Sequence, residues 1–222
     1  MNERSSDLAT LVRPTRFLDA DHPRVIAFAR HATAGRTDPV ERAVALYYAV
    51  RDGFRYDPHR LDLRPDAMRA SALLERGYGF CVPKAVLLAA AARALGIPGR
   101  LGFADVRNHL ATERLRREMG TDLFVFHGYT ELHLGGRWVK ATPAFNRTLC
   151  ERFDVDPLEF DGRTDSLFQQ ADRRGHRYME YVRDRGPFAD LPLADMLAAF
   201  EEHYPALMAG GVYDVEGREE WE

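Results

Sequence analysis

Two residue types in this chain could make and break an acyl bond together: a thiol, Cys81, and an imidazole, His127. Cys81 stands in RGYGFCVPKAVLLAAAARALGIPGR, residues 76–100, after a glycine-rich turn and at the start of an apolar run. A thiol is a weak nucleophile until it ionises, and its free pKa is about 8.5. The first turn of a helix offers unpaired N–H groups and the positive end of the dipole, which favour the thiolate. Pro83 is tolerated only in a first turn, so it fixes the helix start close to Cys81. Gly77 and Gly79 let the chain turn tightly before it. The Cys81 N–H would lie on the same side as its sulfur and could bind an oxyanion. The same position also suits plain packing, because cysteine is among the residue types most often buried. Cys150, in NRTLCERF, has no such setting and reads as packing.

A catalytic thiol needs a base within reach. LFVFHGYTELHLGGRWVKATPAF, residues 123–145, predicts a β-hairpin turning on Gly135-Gly136. Continuing the pairing outward sets His133 opposite Trp138, Glu131 opposite Lys140, Tyr129 opposite Thr142 and His127 opposite Ala144. Strand alternation puts all eight on one face, with Thr142 and Asn146 diagonal to His127. His133 lies near the turn as a rim residue, and Glu131–Lys140 reads as a structural ion pair. His127 and His133 are roughly 20 Å apart along a strand, too far to share a metal. The acids of DVDPLEFDGRTD do not follow calcium-loop spacing. Neither metal nor cofactor is expected. Tyr56, in GFRYDP, is a candidate second oxyanion donor.

The elements around these residues predict an α+β fold. DADHPRVIAFARHATAG reads as a short helix with Asp21 near its cap. TDPVERAVALYYAVRDGF reads as a helix capped by Asp38 with Pro39 in its first turn. RPDAMRASALLERG reads as a third helix, ended by Gly77. The helix after Cys81 has only Lys84 and Arg93 as charged members, so most of its surface must be buried. RLGFADV reads as a strand, HLATERLRREMG as a short exposed helix and LPLADMLAAFEEHY as a late helix. Residues 1–18 are poorly determined. The acidic segment Asp154–Asp165 and GHRYMEYVRDRGPF, residues 175–188, are expected to be irregular, shaping specificity or packing as ordinary loops.

The 222 residues suit one domain over 1–222, with a core at about 40–146 and 147–222 packed on it. With 45% hydrophobic and 29% charged residues, the chain can bury a substantial core. A net charge of -3 leaves no basic footprint for nucleic acid. Two cysteines outside any CxxC pattern suit a reducing compartment. The N-terminus lacks a secretory apolar run and no segment has the apolar length of a membrane span. A cytoplasmic protein is expected, with a small-molecule or peptide acyl substrate and neither nucleic acid nor membrane as partner.

GYGFCVPKAVLLAAAARALGIPGR resembles the nucleophile helix of the transglutaminase-like superfamily: glycine before cysteine, a small-residue helix, then R-A-x-G-I-P-x-R. HGYTELHLGGRWVKATPA resembles the family's second motif, H-x-W-x-E-V followed by W-V-x-x-D-P. The likeness covers roughly residues 40–146. It implies a papain-like Cys–His–Asp site, a nucleophile helix on an antiparallel sheet, and acyl transfer through an acyl-enzyme. Position by position, it makes Cys81 the nucleophile and His127 the general base and acid. The third position falls on Thr142, where the family has aspartate. Threonine can hold an imidazole ring but brings no negative charge, and Asn146 is the alternative partner. Hydrolysis of an amide or peptide bond is favoured over crosslinking. A catalytically silent binding protein is the competing expectation.

Overall fold

The structure, a computed structural model, describes residues 8–109, 111–169 and 171–209. The first seven residues of the N-terminal segment therefore lie outside the described residues. Local signals set the first three helices. α1, Pro23–Ala32, is capped by His22, whose ring accepts the Arg24 N–H, one residue beyond the expected Asp21. α2, Pro39–Gly53, is capped by Asp38, which accepts the Glu41 N–H at 3.0 Å. A two-residue strand β1, Arg55–Tyr56, follows. The predicted third helix is split into a 3₁₀ turn, Pro65–Met68, and α3, Ala70–Arg76, which Gly77 ends at φ 77°. β2, Tyr78–Gly79, pairs in parallel with β1 and leads straight into α4, Cys81–Ala94.

α4 is the centre of the molecule. Every residue from Cys81 to Arg93 is buried, with α1, α2 and α3 packed on one side and the main sheet on the other. That is why its sequence has no polar face. Fully burying a residue such as Leu87 or Leu88 contributes about 1.5–3 kcal/mol, and both are completely enclosed. Its two cations are satisfied by main chain. Lys84 Nζ donates to the carbonyls of Arg51, Phe54 and Ala144 at 2.7–2.8 Å. The Arg93 guanidinium donates to the carbonyls of Gly99, Arg13 and Ala189. α4 is therefore tied through side chains to segments distant in sequence.

The main sheet is antiparallel and runs in the order β5-β4-β3-β6. Its strands are β3, Gly99–Asn108; β4, Leu123–Leu134; β5, Arg137–Ala141; and β6, Met179–Phe188. A short helix, α5 (Glu113–Met119), sits in the β3–β4 connection. The Gly135-Gly136 turn has positive φ at both residues, 57° and 85°, as a two-residue hairpin loop requires. Thr130, Glu131, Leu132, His133 and Leu134 pair with Ala141, Lys140, Val139, Trp138 and Arg137 in the expected register. Glu131 is held chiefly by Arg100, at 2.6 Å, with Lys140 at 4.0 Å. Gly102 lies opposite Tyr129, and a Cβ there would come within 2.1 Å of the tyrosine ring. The ring thus lies across the glycine and is fixed on its face of the sheet.

Beyond β5 come α6 (Arg147–Arg152), the edge strand β6, and two late helices, α7 (Leu193–His203) and α8 (Pro205–Ala209). β6 occupies the stretch expected to be irregular. Only Met179 is buried and half of its residues are exposed, so it carries no apolar alternation. No helix among the described residues is long and apolar enough to cross a membrane.

Candidate active site

Cys81 is the first residue of α4, preceded by Phe80 in extended conformation. Gly79 permits this entry: a Cβ there would sit 2.9 Å from Leu73 Cδ1 and 3.3 Å from Pro83 Cβ. The thiol is 8% exposed. Desolvation is the strongest influence on it and pushes it up to about 11. The backbone N–H groups of Gly128, Val82 and Cys81 act the other way, favouring the thiolate. The sulfur therefore faces the residue next to His127. Gly128 is needed for this approach, since a Cβ would lie 3.1 Å from Val82 Cα.

His127 is 6% exposed, and burial pushes its imidazole down to about 4. Both groups are therefore neutral near pH 7: the thiol keeps its proton and the imidazole is free to accept one. His127 is aimed by a β-bulge. The β3–β4 pairing runs from Ala104–His127 to Val106–Phe124, so β4 carries one extra residue, and Phe126 there has φ 55°. Side chains replace the missing ladder partners. Asp105 Oδ1 accepts the Phe126 N–H at 3.1 Å, and the Tyr204 hydroxyl accepts the Val125 N–H. Asp105 is held in turn by Arg185 Nε at 2.6 Å, and the Arg185 guanidinium covers the Phe126 ring. The extra residue brings His127 onto the same face as Phe124.

The expected partners of His127 lie elsewhere. The β4–β5 ladder stops at Ala141, short of the positions that would have placed Thr142 beside Tyr129. Pro143 lacks the N–H to continue it, and the chain turns to Ser166, whose carbonyl accepts the Thr142 N–H. The Thr142 hydroxyl is buried without a hydrogen-bond partner, so the expected bond to the imidazole is not formed. Asn146 instead accepts the Tyr56 N–H through Oδ1 at 3.1 Å. No hydrogen bond or ion pair joins the imidazole to a described side chain, so nothing charged supports an imidazolium.

Cys81 and His127 open into one cavity of about 560 Å³, mouth included, walled by Phe80, Phe126, Phe200 and Leu207 among others. A second space of about 490 Å³ shares His127, Tyr56, Pro58, Leu115 and Phe124 with the first, but not Cys81. The two are adjoining chambers bordered in common by these five residues, His127 among them. Tyr56 lines both, its ring edge-on to Phe145 at 4.7 Å. Tyr178 and Met179, from the stretch singled out for specificity, line the second chamber, and residues 154–165 line neither.

Cys81, His127 and Tyr56, which the sequence singles out, line one cavity. Asp105 and Tyr204, which hold the bulge, were missed. An acid inside the apolar strand LGFADV was the one available signal for the first.

A cysteine at the head of a buried helix, facing a histidine-bearing antiparallel strand, defines a papain-like arrangement. Residues 26–143 match the model of the transglutaminase-like superfamily. The chain belongs to that superfamily. Among solved structures, a proposed cysteine protease from Cytophaga hutchinsonii is 14% identical, with a TM-score of 0.49, over 85% of this chain and 55% of that one. A proposed protease from Parabacteroides distasonis is 17% identical, with a TM-score of 0.40, over 60% of this chain and 26% of that one. The chain thus spans about half of the first and a quarter of the second. No curated protein matches the sequence significantly.

Proposed function

We infer that the protein is a cysteine acyl-transfer enzyme that hydrolyses an amide, peptide or related acyl bond. The observation that carries this reading is that Cys81 and His127, both nearly enclosed, line the same cavity. As Cys81 Sγ attacks the carbonyl carbon, His127 takes the thiol proton and the carbonyl π pair moves to oxygen. The resulting oxyanion is directed to the N–H at the start of α4, with the Tyr56 phenol as second donor. Collapse of the intermediate expels the amine, which receives the proton back from His127, and leaves a thioester on Cys81. Water activated by His127 then releases the acid.

The test is acylation by 4-nitrophenyl hexanoate. A burst of nitrophenol and an acyl adduct on Cys81 by mass spectrometry are expected. Both should vanish in Cys81→Ala, fall steeply in His127→Ala and persist in Cys150→Ser. The pH profile follows from the neutral pair. His127 must be unprotonated to act as base, so the rate should fall only as pH drops towards about 4. An additional fall between about pH 8 and 9 would instead indicate an imidazolium in the active form. Absence of any Cys81 adduct would favour the silent binding protein, the reading that the missing acid at position 142 supports.

The unpartnered Thr142 hydroxyl gives a second check. Thr142→Val should stabilise the fold by about 1 kcal/mol, because it removes a buried polar atom that bonds nothing. The acylation rate should stay within about twofold. A tenfold fall in rate would mean that this hydroxyl holds the imidazole during turnover.

A further inference from the structure

We propose that the substrate is an uncharged acyl compound with an apolar group on each side of the scissile bond. This rests on the acyl-transfer reading and adds to it the substrate class and the direction of binding.

Direction follows from which residues each chamber contains. The acyl group becomes bonded to Cys81, and Cys81 lines only the first chamber, so the acyl chain must lie there. The leaving group receives its proton from His127, which lines both chambers. The second chamber reaches His127 without Cys81 and is therefore where the leaving group sits.

Chemistry follows from the walls. Leu61, Phe126, Phe200 and Leu207 give the first chamber a mixed aliphatic and aromatic surface. Its one carboxylate, Glu118, is already engaged by Arg114 at 2.8 Å and by His59 at 2.6 Å. Among the described residues, no lysine or arginine lines either chamber, and none with a carboxylate lines the second. Rings line both chambers, Phe80, Phe126 and Phe200 the first and Phe145, Phe153 and Tyr178 the second, with Phe145 and Tyr178 stacked at 6.0 Å. A charged group in either chamber would lose its hydration and find no free counter-charge. A flat ring would find offset and edge contacts.

The acyl side is tested with 4-nitrophenyl esters of hexanoic, glutaric (as the monoester) and 6-aminohexanoic acids. The leaving-group side is tested with hexanoyl amides of benzylamine and ethylenediamine. kcat/KM for the uncharged member should exceed that of each charged one by about 10²-fold or more. Two half-buried wall residues, Leu207 and Phe153, separate the chambers. Leu207→Asp should raise the aminohexanoyl-to-hexanoyl ratio about tenfold and leave the amine preference unchanged. Phe153→Asp should do the converse. Acylation of Cys81 by charged and uncharged esters at equal rates would overturn the inference while leaving the acyl-transfer reading intact. So would a Leu207→Asp effect confined to the amine series. No acylation of Cys81 by any ester would sink the reading itself, and the inference with it.

Discussion

Lys84→Met is expected to lower the unfolding free energy by on the order of 3–6 kcal/mol, because it leaves three enclosed carbonyls without donors. Lys84 is completely buried and its Nζ reaches the carbonyls of Arg51, Phe54 and Ala144 at 2.7–2.8 Å. Three acceptors match the three N–H bonds of an ammonium. A neutral amine would turn its lone pair against one of them. Burial, the largest influence, pushes this amine down to about 7, while the three carbonyl acceptors favour its ammonium form. The contacts join the end of α2, the approach to Tyr56 and the segment after β5 to the first turn of α4. Urea unfolding measures the effect, with recovery of soluble protein as the fallback readout if the variant does not fold. A loss below about 1 kcal/mol would show that the carbonyls find other donors.

Asp105→Ala should reduce kcat by about 10²-fold, because misplacing a reacting group by about 1 Å costs that much. Asp105 accepts the N–H of Phe126, which is held at φ 55° next to His127. Removing it also leaves Arg185, only 15% exposed, without its partner, at a cost of about 3–5 kcal/mol. Asp105→Asn keeps an acceptor for the Phe126 N–H but loses the charge facing Arg185. It should therefore recover much of kcat and little of the stability. That split marks a positioning residue, since Asp105 itself touches no reacting atom. Equal losses of stability in both variants, with kcat per folded molecule unchanged, would show that the bulge holds itself.

What was legible from the sequence was what neighbouring residues decide. Asp38 and Pro39 start α2, Gly77 stops α3, and Gly135-Gly136 sets the hairpin register as far as Ala141. What was hidden depends on partners far along the chain. The hairpin ladder ends early because Thr142 bonds Ser166, 24 residues on. Asn146 was weighed as a partner of His127, yet it bonds Tyr56, 90 residues earlier. Lys84 and Arg93 read only as the two charges of an apolar helix, because their carbonyl partners, at residues 13, 51, 54, 99, 144 and 189, lie outside it. β6 was masked by its own exposure: an edge strand with polar side chains on both faces has no alternation to read.

The extra residue at Phe126 also governs how this protein can change. Excising it would restore regular pleating and turn Phe124 and Leu123 to the reverse of the sheet, away from the face of His127, while barely altering composition or overall length. Indels elsewhere in surface connections can be absorbed gradually. Here the count of residues between Phe124 and His127 is all-or-none, so drift in this stretch must proceed by exchange of side chains alone.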